Sequence, residues 1–91
     1  MTPQYCIVNE CLVLLKQVDM QPIKKLRIEI QLMQMKRVLL DDNFPLESCR
    51  DPLREVLSDI RKIRKGEHDM GTVSSLMERM GRIMNLPRCD Q

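Results

Sequence analysis

At 91 residues the chain is one domain, and so small a core buries a modest share of its surface, which favours completion by self-association. Apolar residues make up 43%, which excludes disorder throughout, and aromatics only 2%, which argues against stacking single-stranded nucleic acid on rings. The net charge of +2 is spread evenly, six basic against five acidic residues up to position 45 and nine against eight beyond it, so bulk charge indicates no polyanionic partner.

The four cysteines are Cys6, Cys11, Cys49 and Cys89, and no secretory leader is legible ahead of them. Free thiols in a reducing, cytoplasmic setting are therefore expected. The run Leu12–Leu15 falls far short of the roughly 20 apolar residues a membrane span needs, so no membrane partner is expected.

Four helices are expected in chain order. Thr2-Pro3 has the form of an N-cap followed by proline at the first helical position, and starts a helix over 3–18. Its apolar residues Ile7, Val8, Cys11, Leu12, Leu14, Leu15 and Val18 cover about half the circumference, which calls for deep packing. Pro22 restarts the chain. Over 26–32 apolar and polar residues alternate in the manner of a strand, yet the periodic stretch continues to Leu40 in good helix formers, so a helix over 22–40 is expected. That helix carries two apolar stripes. Ile23, Leu26, Ile30, Met33 and Leu40 form one; Ile28, Leu32, Met35 and Leu39 form the other, about 160° away. Such a helix must be covered on two sides.

Residues 41–51 read as an irregular linker. Asp51-Pro52 then repeats the cap-then-proline pattern and starts a helix over 52–65, with Leu53, Val56, Leu57, Ile60 and Ile63 on one stripe and Gly66 as C-cap. The last helix, 70–85, is capped by Asp69 or Thr72 and aligns Met70, Val73, Leu76, Met77, Met80, Ile83 and Met84. The expected fold is all-α, two antiparallel helical hairpins completed by homo-oligomerisation into a coiled-coil-like bundle. Ile28, Leu32, Met35 and Leu39 with Met70, Val73, Met77, Met80 and Met84 are the candidate oligomer interface.

Catalytic signatures are wanting. Three glycines cannot build a phosphate loop, and a Cys49–His68 pair lacks an orienting third group, so no enzyme and no cofactor are expected. No metal is expected either: Cys6 and Cys11 diverge by about 140° on a helix, and buried thiols serve as small hydrophobes. Segment 71–77 fails as a helix-turn-helix start, because Glu67 and His68 occupy the turn positions and the joint is too long.

Two features remain for recognition. Arg54, Arg61 and Lys65 share one edge of the third helix; the plainer reading is cations placed to suit the helix dipole, the other a contact to an acidic partner. Phe44 stands beside Pro45 in a polar stretch, where it either anchors the loop or enters a partner's pocket. The eight methionines read first as core filling, and second as an adaptable contact surface. These observations point to a non-enzymatic regulator or adaptor, of the antirepressor, anti-activator or chaperone-like kind, that sequesters a partner protein through helix faces. The alternative is a small DNA-binding transcriptional regulator using the third and fourth helices, with nucleic acid the less favoured partner.

Overall fold

The computed structural model describes residues 2–66 and 70–88, with Met70 by its backbone alone. It contains four helices: α1 (Pro3–Leu15), α2 (Pro22–Val38), α3 (Leu46–Arg64) and α4 (Met70–Met84), and no strand among the described residues. Alternation over 26–32 thus gives way to helix, as the uninterrupted helix formers require. α1 packs on α2 and α3, and α4 packs on the same two. The remaining pairs, α1 with α4 and α2 with α3, lie across the diagonals.

The caps follow local chemistry. The Thr2 hydroxyl accepts from the Tyr5 N–H at 3.2 Å, and Pro3 holds the first helical position. The last turn of α1 lacks a basic residue of its own. Lys25 of α2 supplies the cation instead, donating from Nζ to the carbonyls of Lys16 (3.2 Å) and Val18 (3.0 Å). Gly66 stops α3 with φ of +86°, a conformation that only glycine adopts cheaply. Asp69 lies outside the described residues, and Thr72 sits inside α4 instead of capping it.

One core runs the length of the bundle. It takes Val8, Cys11, Leu15 and Val18 from the first segment, Ile28, Leu32, Met35 and Leu39 from the second, the full α3 stripe, and Leu76, Met80 and Ile83 from α4. Gln4 is also buried; its amide Nε2 donates to the Leu46 carbonyl at 2.8 Å and ties the start of α1 to the start of α3.

The expected start of the third helix at 52 is corrected. α3 begins at Leu46, and Pro52 lies inside it, so the irregular joint shrinks to the residues between α2 and Leu46. An interior proline removes one backbone hydrogen bond and costs on the order of 3 kcal/mol. Burial of Cys49 and Leu53, both 0% exposed on the first turns, offsets it. The first and second helices also end earlier than expected, at Leu15 and Val38. Tighter turns at Leu14–Val18 and Arg37–Asp41 close both ends.

Candidate functional site

α2 supplies the most unusual surface. Its two stripes meet different fates. Ile28, Leu32, Met35 and Leu39 face α1 and α4 and are 0%, 0%, 1% and 6% exposed. The opposite row stays in solvent: Ile23 65%, Leu26 52%, Ile30 48%, Met33 54% and Leu40 68%. Single exposed apolar side chains are ordinary, but a continuous row along one helix is not.

The row has a defined chemistry around it. Arg27 and Gln34 flank one side and Glu29 and Lys36 the other, while Arg37 interrupts the row near its end. Beside the second half of the helix runs an open groove of about 440 Å³. Ile30, Met33, Arg37 and Leu40 line it together with Tyr5 of α1. Lys36 sits over the Tyr5 ring, 5.2 Å from its centroid, and closes the groove's edge. A second groove of about 390 Å³ opens between α2 and α4, lined by Lys24, Arg27, Ile28, Val73, Ser74 and Met77.

The residues expected at an oligomer interface lie elsewhere from that exposed row. Ile28, Leu32, Met35, Leu39 and Met80 are interior to the chain's own bundle, and Val73, Met77 and Met84 are half-buried against it. The reason is geometric: α1 and α4 together cover one face of α2, and the inner stripe takes it. The Met70 side chain lies outside the described residues. The row at 23, 26, 30, 33 and 40 was legible in the sequence, but composition alone did not tell it from the inner one.

The residues expected to meet a partner separate as well. Phe44 is 4% exposed and belongs to the core. The Arg88 guanidinium lies over its ring at 4.8 Å and pairs with Asp41 at 3.3 Å, so the segment after α4 straps the loop down. This is the anchoring arrangement, with no ring left standing in solvent. Arg54 and Arg61 on α3 and Lys65 just past its end are all exposed. Arg61 is drawn to Glu10 of α1 at 3.6 Å, which partly neutralises the edge. Between α3 and α4, Arg79 bridges Asp59 at 2.7 Å and Glu55 at 3.6 Å, a fastening that no sequence signal had singled out.

The two buried thiols, Cys11 and Cys49, are poor candidates for chemistry. Burial pushes Cys11 up to about 12, with Glu10 adding to the rise, and burial raises Cys49 too. A nucleophilic cysteine needs a shift in the other direction. Cys49 donates from Sγ to the Leu46 carbonyl at 3.2 Å and fills space in the core. His68 and Cys89 lie outside the described residues. Among the described residues no three metal-ligating side chains cluster, and no helix is long and apolar enough to cross a membrane.

Comparison with protein-family models, with curated proteins and with solved structures finds no match to this chain.

Proposed function

We propose that this chain is a non-enzymatic protein-binding regulator or adaptor that holds another polypeptide along the outer face of α2. The observation that carries this reading is the exposed row Ile23, Leu26, Ile30, Met33 and Leu40, about half or more of each side chain in water. An apolar stripe along an amphipathic helix is the surface that helix-to-helix recognition uses. Sequestration fits it, because the stripe offers contact area and no reactive group. The helices are read as two antiparallel hairpins, α1–α2 and α3–α4, since each pair is in contact and short joints favour that course. Arg54, Arg61 and Lys65 belong to the side of the bundle diagonal to α2 and take no part in this surface.

A photo-reactive residue at Met33 tests the reading in cells, with the same residue at the exposed Ser58 of α3 as control. Adducts from position 33 with a protein other than this chain, lost on Ile30→Glu and absent from position 58, are expected. Adducts that form equally from position 58, or persist with Ile30→Glu, refute it.

A further inference from the structure

The outer row of α2 has a stricter spacing than docking alone demands. Ile23, Leu26, Ile30, Met33 and Arg37 of α2, followed by Leu40 in the turn just past its end, succeed one another at intervals of three and four, the a/d alternation of a heptad seam. Isoleucines and Arg37 take the a positions; Leu26, Met33 and Leu40 take d. All five apolar members are exposed, and none of the described helices of the chain faces them.

We infer that the facing helix is α2 of a second copy, running antiparallel, so that the protein is a two-fold homodimer. Charge decides the orientation. In a parallel pair Arg37 would meet Arg37 of the partner subunit in one layer of the seam, a like-charge contact. In the antiparallel pair a meets d: Ile30 faces the partner's Met33, Ile23 faces the partner's Leu40, and Arg37 faces the partner's Leu26. The flanking positions then become self-complementary. Glu29 faces the partner's Lys36, and the symmetry operation supplies the same pair a second time. In the parallel arrangement Glu29 would face only the neutral side chain of the partner's Gln34.

The groove fits the same arrangement. Its lining by Ile30, Met33, Arg37 and Leu40 is the kind of hole that a seam residue of a facing helix fills, and the antiparallel register delivers the partner's Ile23 and Leu26 to it. Area agrees. The five side chains expose on the order of 500 Å², towards the upper end of what a monomer leaves in one patch. Two copies with their flanking residues bury roughly 1,200 Å², where specific interfaces begin. This inference rests on the reading of α2 as the binding helix and names its occupant. Self-pairing and partner capture then compete for one face, and the dimer is the form the protein takes when no partner is present.

The test is sedimentation equilibrium of the full chain at low and high micromolar concentration, with helix content followed by circular dichroism. The wild type is expected at twice 10.7 kDa. Ile30→Glu is expected to be a helical monomer. Glu29→Lys and Lys36→Glu should each weaken the dimer at least tenfold, and the double exchange should restore it. A wild type that stays monomeric at high micromolar concentration overturns the second copy as occupant, and leaves the cross-linking test of α2 standing. A dimer that survives Ile30→Glu unchanged overturns both this proposal and the role of the row. Failure of the double exchange to restore association overturns the antiparallel register.

Discussion

Phe44→Ala is the perturbation that most directly tests the bundle's end. The ring is 4% exposed, within a joint held by the Phe44 N–H to Asp41 carbonyl bond at 3.0 Å and by the Asn43 N–H to Asp41 carboxylate bond at 3.0 Å. Truncating a buried phenylalanine costs about 3–5 kcal/mol, the lower end applying where surroundings can collapse. Phe44 lies in a loop beneath the solvent-facing side chain of Arg88, so about 3 kcal/mol is the appropriate figure. The contact with Arg88 contributes no more than about 1 kcal/mol of that, as a cation over an aromatic ring near solvent. For a chain of this size each kcal/mol moves the melting temperature by about 4–8 °C, which places the variant roughly 12–24 °C below the wild type. Thermal and urea unfolding followed at 222 nm would show it, with Arg88→Ala as companion at under about 1 kcal/mol. A loss below about 1 kcal/mol for Phe44→Ala, with helix content intact, would refute the anchoring role. Any loss of partner binding in this variant should follow its loss of stability.

The two stripes of α2 should respond oppositely to truncation at dilute concentration: Leu32→Ala, inside the core, costs about 2–5 kcal/mol, while Leu26→Ala, half in water, costs about 0.5 kcal/mol or less. Equal losses in urea unfolding would refute the assignment of one stripe to the interior and the other to the surface. Pro52→Ala restores a donor inside α3 and should stabilise the fold by about 1–3 kcal/mol, less the entropy gained by the unfolded chain; a destabilised variant would contradict an unbroken helix from Leu46. For Cys11 the folded thiol is held up to about 12 against an ordinary value of 9.0. Below pH 9 both states are protonated and its contribution is fully present. Above it the unfolded thiol ionises first, so stability falls by about 1.4 kcal/mol per pH unit from this group. Cys11→Ala should flatten that alkaline decline in urea titrations, and an unchanged slope would refute it.

Local chemistry in the sequence determined a good deal by itself. The Thr2-Pro3 start, the Gly66 stop, the apolar stripes of α3 and α4 and the all-helical class depend on residues within a few positions of one another, where caps and periodicity act. Two matters needed tertiary structure. Asp51-Pro52 reads as a helix start because locally it is one; α3 runs through it because Cys49 and Leu53 gain more from the shared core than the lost hydrogen bond costs. The stripes of α2 are nearly equal in apolar character, so periodicity cannot rank them. Contact with both α1 and α4 selects Ile28, Leu32, Met35 and Leu39 for the interior. The same selection turns Ile23, Leu26, Ile30, Met33 and Leu40 into the surface, because a helix packed against two neighbours on one side has its other side left for water or for another chain.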